Sequence, residues 1–234
     1  LPCNDCRRAM SGGGGGTQGT NVANGDFDLA IIGGGINGAA VARDAALRGM
    51  RVILFEKEDF GAGASSKSSK LVHGGLRYLE HFQFSLVRES LKERALLLKN
   101  APHLVHPLNF YLPVYSRDKR PLWQIGIGLS LYDHLGGRGS LSKHRKVAIA
   151  SIAAKFPGIA TGGLCGGCIY QDAQMLDNRL VIENILAAEK AGALVYNHTP
   201  VTGLSIEDGK ICGLRFRNAL TGHEDVIRSR TVVN

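Results

Sequence analysis

A glycine-rich turn at Gly33–Gly38, with the sequence GGGING, carries the spacing G-x-G-x-x-G that suits dinucleotide binding. In this pattern Gly33 allows a tight turn, Gly35 lets backbone amides approach a pyrophosphate without a Cβ in the way, and Gly38 lets the next helix lie close to the preceding strand. The phosphates would lie at a helix N-terminus, where unpaired N–H groups favour anions. Further along, Glu56 can accept hydrogen bonds from both hydroxyls of an adenosine ribose. These residues predict a nucleotide site that would repel a 2′-phosphate.

The elements around the turn have the order that this chemistry needs. Phe27–Ile32 is a short apolar run typical of a buried parallel strand, and an alanine-rich helix is predicted over Ala39–Leu47. A second buried strand at Arg51–Phe55 then leads directly into Glu56. The glycine spacing alone is weak evidence, because 31 glycines in 234 residues produce such spacings by chance. The alternative is a glycine turn that only packs a strand–helix–strand unit. That alternative does not explain Glu56.

A small, polar segment, GAGASSKSSK at Gly61–Lys70, follows the second strand. It offers hydroxyls, amides and two ammonium groups to phosphate oxygens or to the polar edge of a flavin. The alternative is a flexible loop.

The next residues, Leu71–Glu80, are predicted to pass from a loop into a helix. This transition brings His73, Arg77 and Tyr78 close together, and an arginine fork can hold a phosphate through two parallel hydrogen bonds. The alternative for Arg77 is an exposed ion pair with Glu80, three positions on, which would only brace the helix.

Composition limits the classes of partner. The net charge of +8 favours anionic ligands or anionic lipid surfaces, or it reflects a solvated basic surface. Nucleic acid is not predicted as a partner, because the basic residues are scattered and not interleaved with aromatic ones. No apolar run approaches the roughly 18 residues that span a bilayer, so any membrane contact is expected to be peripheral.

The five cysteines give no disulfide framework and favour a reducing compartment. Cys3 and Cys6 form one C-x-x-C pair, and Cys165 and Cys168 form another. A four-cysteine zinc site is the alternative, but the first pair lies in a predicted tail and the second enters a predicted buried strand. No metal is predicted.

Residues 1–25 are predicted to form a disordered leader, because a run of glycines and small polar residues cannot repay the entropy of ordering. The leader has no secretory or convincing transit pattern, so targeting is undecided. The sequence begins with leucine instead of methionine. Its last residues, Arg228–Asn234, are predicted to be the beginning of a strand that the given sequence does not continue. We expect the chain to be the N-terminal part of a longer protein.

The remaining pattern alternates helices and strands. Trp123, Ile125, Ile127 and Leu129 form an apolar patch near Lys119 and Arg120, which is either packed in the core or a membrane-facing edge. Helices are predicted over Ser85–Lys99, over Pro121–His134 and from Asp177, as the cap, to about Ala191. Strands are predicted at Leu108–Val114, Cys168–Tyr170 and Gly192–Tyr196, with an antiparallel ribbon from Ile211–Phe216 and Glu224–Ile227.

Taken together, these segments closely resemble the FAD-dependent glycerol-3-phosphate dehydrogenases, the membrane-associated, aerobic-type flavoenzymes. The resemblance covers roughly residues 26–234, and its block from Ser65 to Glu80 is far more specific than the glycine turn. It continues through Glu93-Arg94, Ala101-Pro102-His103-Leu104, Leu131-Tyr132-Asp133 and Asp177-Asn178-Arg179-Leu180.

The resemblance implies an α/β fold, with a Rossmann-like FAD-binding domain of the two-dinucleotide-binding-fold type over residues 26–234 and part of an interleaved substrate domain. This domain is expected to be incomplete at its C-terminus. The implied reaction is oxidation of sn-glycerol 3-phosphate to dihydroxyacetone phosphate by hydride transfer to FAD, with electrons passed to a quinone. The fragment alone is expected to be inactive.

The resemblance also implies roles for individual residues. Arg77 is expected to bind and orient the substrate with Tyr78 beside it, and these two are the predicted catalytic residues. The catalytic base and the main phosphate clamp are expected beyond Asn234. The predicted cofactor-binding residues are Gly33, Gly35, Ile36, Asn37, Gly38, Glu56, Ser65, Ser66, Ser69, Lys70, Leu71, His73, Gly74 and Val201.

The implied location is the cytoplasmic face of a membrane in a bacterium, or the mitochondrial inner membrane in a eukaryote. The sequence leaves the oligomeric state open, a homodimer included. Two other functions also stay open. One is a different FAD-dependent oxidase or dehydrogenase, acting on amines or hydroxy acids, and the other is a nucleotide-binding module without chemistry.

Overall fold

The computed structural model describes residues 26–137 and 141–234. The predicted leader and the Cys3/Cys6 pair therefore lie outside the described residues. The chain divides into two compact units, which are described separately. The first unit takes the chain up to Ala62 and again from Val181 to Asn234, and the second unit is Gly63–Leu180.

The elements are numbered in chain order. The strands are β1 (Phe27–Ile32), β2 (Val52–Phe55), β3 (Leu71–Val72), β4 (Val105–Tyr115), β5 (Arg145–Val147), β6 (Leu164–Met175), β7 (Leu194–Tyr196), β8 (Val201–Glu207), β9 (Lys210–Arg217) and β10 (Glu224–Val233). The helices are α1 (Ile36–Leu47), α2 (Phe84–Asn100), α3 (Leu122–Gly136), α4 (Ile149–Lys155) and α5 (Asp177–Lys190), with a 3₁₀ helix at Leu76–His81.

A six-stranded sheet in the order β7-β2-β1-β10-β9-β8 organises the first unit. Strands β7, β2, β1 and β10 run parallel, and β9 and β8 continue the sheet as an antiparallel ribbon. The central β1 is paired on both edges, with Leu29 opposite Val52 on one side and Thr231 on the other. A central parallel strand is buried on both faces, which explains why every residue of β1 except Asp28 is apolar.

Side chains of β2 alternate between two cores on the two faces of this sheet. Val52 and Leu54 pack on one face with residues of α1 and α5, while Ile53 and Phe55 pack on the other with residues of β9 and β10. Four alanines, Ala39, Ala42, Ala45 and Ala46, form the buried face of α1. Because alanine is small, the helix axis can lie close to the sheet.

The second unit contains an antiparallel sheet in the order β3-β6-β4, with β5 also paired to β6. The long β6 pairs with each of the other three strands. One core cluster gathers Ala101, Leu104, Val105 and Ala173, and another gathers Val87, Leu91 and Tyr132. The second cluster connects α2 and α3 to the 3₁₀ helix, which carries the predicted substrate residues.

Most predicted elements are present with shifted ends. The predicted passage into a helix over Leu71–Glu80 is confirmed, although the helix is 3₁₀ and a two-residue strand paired with β6 precedes it. One expectation was wrong. The patch from Trp123 to Leu129 is not one surface. Helical geometry turns alternate residues apart, so Leu129 is buried while Trp123 and Ile127 are exposed.

None of the helices within residues 26–137 and 141–234 has the length and apolar character needed to cross a membrane.

Candidate functional site

The glycine turn between β1 and α1 has the geometry that its sequence predicts. Gly33 adopts φ +107°, a conformation that side chains disfavour, and its N–H donates to the carbonyl of Phe55 at 2.8 Å. Gly35 is extended, with φ −76° and ψ −174°, and stands as the N-cap of α1. The chain therefore turns sharply from the strand into the helix, as expected for Gly33.

Gly38 fixes the close approach of α1 to this turn. A Cβ at Gly38 would lie 1.9 Å from the carbonyl oxygen of Gly33 and 3.4 Å from Cγ2 of Ile31. The first distance is far below a van der Waals contact with a backbone atom, so any side chain would push the helix away. The predicted packing role of Gly38 is confirmed.

The N-terminus of α1 has the features of an anion site. In the described part of the chain, no side chain caps the helix at Gly35, and its first turn contains no acidic residue. Its N-terminal amides and the positive end of the helix dipole favour a negatively charged group. The arrangement fits a pyrophosphate, which is the role predicted for Gly35, Ile36 and Asn37.

Glu56 follows β2 and is held against the same turn. Its carboxylate accepts hydrogen bonds from the N–H of Gly34 at 2.6 Å and from the N–H of Glu58 at 2.9 Å. A carboxylate has about four lone-pair positions, so two bonds leave capacity for ribose hydroxyls. The acid that the sequence identifies is therefore already oriented by the backbone.

Gly34 is a residue that the sequence interpretation missed. A Cβ there would lie 2.7 Å from the ring of Phe60 and 2.9 Å from Cβ of Glu56. The middle glycine of the turn thus lets Glu56 approach. The signal that could have found it is the third consecutive glycine, which the G-x-G-x-x-G spacing does not require.

Val201, the predicted adenine contact, begins β8 in the same unit as Glu56. It is half-buried beside the core cluster that includes Phe55 and Phe216. Two residues before it, the N–H of Thr199 donates to the carbonyl of Glu56 at 2.8 Å. This bond ties the segment that enters β8 to the end of β2.

In the second unit, the serine-rich segment is anchored by hydrogen bonds of Ser68, which is not among the predicted site residues. Ser68 donates a hydrogen bond from its hydroxyl to the carboxylate of Asp177, and accepts one from the N–H of Lys70 at 2.8 Å. The carbonyl of Lys70 accepts from the N–H of Met175 at 2.9 Å. Lys70 is thereby held at φ +58°, a strained conformation of the kind found at functional sites.

The other predicted residues of this segment differ in exposure. Ser65 and Ser66 are half-buried, whereas Ser69 and the side chain of Lys70 are exposed. Asp177, expected to cap a helix, instead forms the first residue of α5, and its buried Oδ1 lacks a partner among the described residues. Its carboxylate near the helix N-terminus still suits the helix dipole.

Leu71 pairs with Gln174 in the β3–β6 ladder, and the chain then leads through His73 and Gly74 to the 3₁₀ helix. His73 is exposed and Gly74 is buried. Gly74 donates its N–H to Oδ1 of Asp172 at 3.1 Å, and Gly75 adopts φ +71°. The positions of Leu71 and Gly74 are therefore set by bonds of their backbone.

Arg77 is exposed on the 3₁₀ helix, and no described residue forms a hydrogen bond or an ion pair with its guanidinium. The alternative pair with Glu80 is not formed, because Glu80 pairs with Arg120. The Arg120 guanidinium holds the pKa of Glu80 below its usual value, with a smaller effect from Arg77. Tyr78 is half-buried, and its ring lies over Gly75, where a Cβ would approach it to 2.3 Å.

The predicted site residues are distributed over both units. Gly33–Gly38, Glu56 and Val201 belong to the first unit, and Ser65–Tyr78 belongs to the second. Within the described residues, no group of three or more His, Cys, Asp or Glu side chains could hold a metal ion. Cys165 is exposed and Cys168 is buried in β6.

Residues 28–234 match a family described as FAD dependent oxidoreductase. The chain belongs to this FAD-dependent oxidoreductase family. Its match, together with the parallel sheet of the first unit, confirms the predicted α/β, Rossmann-like fold class.

Several curated relatives of this chain are named for phosphorylated polyols. Synechocystis "Glycerol-3-phosphate dehydrogenase" is 44% identical over 214 residues, which cover 91% of this chain and 39% of that protein. "D-erythritol 1-phosphate dehydrogenase" of Brucella abortus is 46% identical over 207 residues, or 88% of this chain and 40% of that one. The chain thus spans about two fifths of the length of these relatives.

Two solved structures show the same fold. The glycerol-3-phosphate dehydrogenase from Bacillus halodurans, complexed with FAD, aligns with a TM-score of 0.69 at 30% identity, covering 91% of this chain and 34% of that one. L-proline dehydrogenase from P. horikoshii aligns with a TM-score of 0.65 at 18% identity, over 89% of this chain and 52% of that one. At that identity the second likeness concerns the fold alone.

Proposed function

We propose that the full-length protein oxidises sn-glycerol 3-phosphate to dihydroxyacetone phosphate, with FAD as the bound cofactor. Membership of the FAD-dependent oxidoreductase family supports the cofactor. Relatives named for glycerol 3-phosphate, at 39–44% identity, support the substrate. The observation in the structure that carries the proposal is the Arg77 guanidinium, which is exposed and without a partner among the described residues.

The residues of the first unit fit FAD on physical grounds. The N-terminus of α1 has no capping side chain in the described residues, so its amides can take a pyrophosphate. The chain packs so closely at Gly34 and Gly38 that a Cβ at either position would clash with neighbouring atoms. Glu56 has remaining lone pairs for ribose hydroxyls, and its negative charge disfavours a ribose that carries a 2′-phosphate.

The chemistry requires removal of a hydride from C2 of the substrate and of a proton from its C2 hydroxyl. When bound, FAD supplies the acceptor for the hydride. The role of this chain's residues is to bind and orient. Arg77 can hold the substrate phosphate through two parallel hydrogen bonds, which fixes both distance and rotation. The ring of Tyr78, the residue after Arg77, lies over Gly75 at the start of the same helix.

A second substrate is favoured by a specific observation. The relative with 46% identity is named for D-erythritol 1-phosphate, which shares with glycerol 3-phosphate a terminal phosphate and a secondary hydroxyl on the carbon next to the phosphorylated one. An Arg77–phosphate contact serves both substrates equally. Discrimination between them must then come from groups that contact the rest of the polyol.

The electrons are proposed to pass to a quinone, and the full-length protein is proposed to bind peripherally at a membrane. An exposed apolar stripe on α3, formed by Trp123, Ile127 and Leu131, supports membrane contact. These residues are spaced by four positions, so they share one helix face. The proposed location is the cytoplasmic face of the membrane in a bacterium, or the mitochondrial inner membrane in a eukaryote.

The test uses the purified full-length protein. We expect a flavin absorbance spectrum, and reduction of that spectrum by glycerol 3-phosphate under anaerobic conditions. D-erythritol 1-phosphate, glycine and L-proline serve as the comparison set. Bleaching of the flavin by an amino acid but by neither polyol phosphate would overturn the proposal, and absence of flavin would favour a binding module.

The acceptor is tested on the same preparation. A soluble ubiquinone analogue and molecular oxygen are offered separately, with hydrogen peroxide measured in the second assay. Turnover with the quinone at least tenfold faster than with oxygen is expected. Relatives named alpha-glycerophosphate oxidase exist at 40% identity, so peroxide as the main product would contradict the quinone assignment.

A further inference from the structure

Three polar residues form a buried network in the second unit. Arg94 of α2, Tyr132 of α3 and Asp172 of β6 are each no more than 2% exposed. Oδ1 of Asp172 accepts from Nη1 of Arg94 at 2.5 Å and from the hydroxyl of Tyr132 at 2.7 Å. The same oxygen accepts a third hydrogen bond, at 3.1 Å, from the backbone N–H of Gly74.

Burying this network lowers the stability of the fold, so a purely structural role explains it poorly. Burying two charges carries a desolvation penalty that apolar side chains of similar volume would avoid. The network is also incompletely satisfied, since Nε of Arg94 has no partner within the described residues. Its side chains are too buried to touch a ligand directly. A function would have to pass through the backbone that they hold, which is Gly74.

The backbone at Gly74 is pressed against the network. A Cβ on Gly74 would lie 2.2 Å from a methyl group of Leu91 and 2.3 Å from the hydroxyl of Tyr132. Gly75 then adopts φ +71° as the N-cap of the 3₁₀ helix, and its carbonyl accepts from the N–H of Tyr78 at 2.8 Å. The position of Gly74 therefore determines where the 3₁₀ helix begins.

Arg77 lies on this helix, three residues after Gly74, with an exposed side chain. We propose that Asp172, together with Tyr132 and Arg94, is a positioning residue that fixes the backbone at Gly74 and so presents Arg77 to the phosphate of the substrate. This inference rests on the proposed function, because it assumes that Arg77 meets the substrate. It adds three residues from separate elements to the machinery of that site.

The hydroxyl of Tyr132 is suited to this role. Burial, followed by the charge of Asp172 and the hydrogen bond to it, raises the pKa of Tyr132 far above its ordinary value. The phenol thus stays protonated and donates to Asp172 throughout the physiological range. Its ring also packs edge-on against Tyr170, with centroids 6.1 Å apart, and this contact does not need the hydroxyl.

The experiment compares Tyr132→Phe and Asp172→Asn with the wild type, all as full-length holoenzyme. Tyr132→Phe keeps the ring and its contact with Tyr170 but removes one donor to Asp172. Ile152→Val, a conservative change at another buried position of the same unit, is the control for a general loss of packing. Flavin content and the unfolding temperature are recorded for each variant.

Two readouts are used. Hydrogen exchange of the peptide that covers residues 73–79 reports the backbone directly and does not depend on activity. We expect about tenfold faster exchange in Tyr132→Phe, since a hydrogen bond to a charged acceptor is lost, and a larger effect in Asp172→Asn. The KM for glycerol 3-phosphate should rise in the same order, with near-stoichiometric FAD and a smaller change in kcat.

Each outcome decides the proposal. Faster exchange at residues 73–79 together with a higher KM supports it, if Ile152→Val changes neither. Unchanged exchange in both variants overturns it, and so does faster exchange with an unchanged KM. If Asp172→Asn does not fold, Tyr132→Phe decides alone. If the wild type does not oxidise glycerol 3-phosphate, the proposed function fails, and the exchange measurement still decides whether the network holds this segment.

Discussion

Glu56 and Arg77 are the two charged side chains on which the proposed chemistry depends, and they are held in different ways. The Glu56 carboxylate accepts two backbone N–H bonds, whereas the Arg77 guanidinium has no bonding partner in the described residues. A preorganised acceptor loses little entropy when a ligand binds. A free guanidinium loses more, but it can adapt to substrates that share only a phosphate.

Arg77→Ala in the full-length protein is expected to raise the KM for glycerol 3-phosphate and to lower kcat/KM. Removing one partner of a desolvated charge pair costs about 2–5 kcal/mol. Arg77→Lys should fall between wild type and alanine, because it keeps the charge but loses the two-pronged geometry. Steady-state kinetics at full FAD occupancy measure this effect.

The matched control is Arg88→Ala, which removes an exposed arginine of α2 in the same unit. It should leave KM unchanged. A wild-type kcat/KM in flavin-replete Arg77→Ala would remove Arg77 from the substrate site. An equal loss in Arg88→Ala would show that only the overall positive charge matters.

Tyr132 gives a prediction for alkaline pH. Its pKa is raised in the folded protein, so the free energy that it contributes is fully present below pH 10, the unfolded value, and is lost as the pH rises toward the folded pKa. Above pH 10, Tyr132→Phe should therefore lose about 1 kcal/mol less stability per pH unit than the wild type.

Urea unfolding between pH 8 and pH 11 measures this difference. Tyr170, whose pKa burial raises to about 12, remains in both proteins and cancels in the comparison. The free energies of unfolding of the two proteins should run parallel with pH below pH 9, and the difference between them should narrow above pH 10. Parallel behaviour over the whole range would show that the Tyr132 phenol is not held neutral by its environment.

Helix α1 and the turn before it depend on packing distances that only glycine permits. The Cβ distance of 1.9 Å at Gly38 involves a backbone oxygen, which cannot move aside as a flexible side chain could. Gly128, inside α3, is different, since a Cβ there meets nothing within 4 Å. These two glycines form a matched pair for experiment.

Gly38→Ala is expected to destabilise the protein by about 2 kcal/mol or more and to weaken FAD binding, because α1 must shift away from the turn. Gly128→Ala should stabilise the protein by about 0.5–1 kcal/mol, because alanine is a better helix former than glycine. Unfolding curves and FAD titration by fluorescence quenching test both. Equal behaviour of the two variants would contradict the role given to Gly38.

The stripe of Trp123, Ile127 and Leu131 is the surface on which the membrane proposal depends. Trp123 is 63% exposed and Ile127 is 61% exposed. Tryptophan suits a bilayer interface, where one part of the ring is apolar and the N–H remains near water. Lys119, exposed just before α3, adds a charge of the sign that anionic lipids attract.

The double change Trp123→Ala and Ile127→Ala in the full-length protein is expected to lower binding to vesicles of anionic phospholipid by about tenfold or more, since two large apolar side chains no longer leave water. Co-sedimentation with the vesicles measures it, with soluble-substrate activity as a check on folding. Leu220→Ala, at an equally exposed apolar residue of the first unit, is the control. Vesicle binding unchanged by the double variant would assign membrane contact to another surface.

Local sequence was sufficient for the elements whose determinants are near neighbours. The strand at Phe27–Ile32 has its predicted bounds, and the tight turn at Gly33 and the close packing at Gly38 follow from the glycine spacing. Such features depend on steric contacts of the backbone within a few residues, and the residue types at those positions determine these contacts directly. The resemblance to a known family supplied the chemistry in the same way, through contiguous motifs.

Tertiary structure alone decided which distant groups meet. Asp172 lies 98 positions from Gly74, and Asp177 lies 109 positions from Ser68, yet both aspartates fix the backbone of the predicted site. No local pattern links such residues, because a buried hydrogen bond is specified by the register of a sheet and the packing of helices. For the same reason Glu80 could not be assigned to Arg120, 40 positions away, in preference to Arg77 beside it.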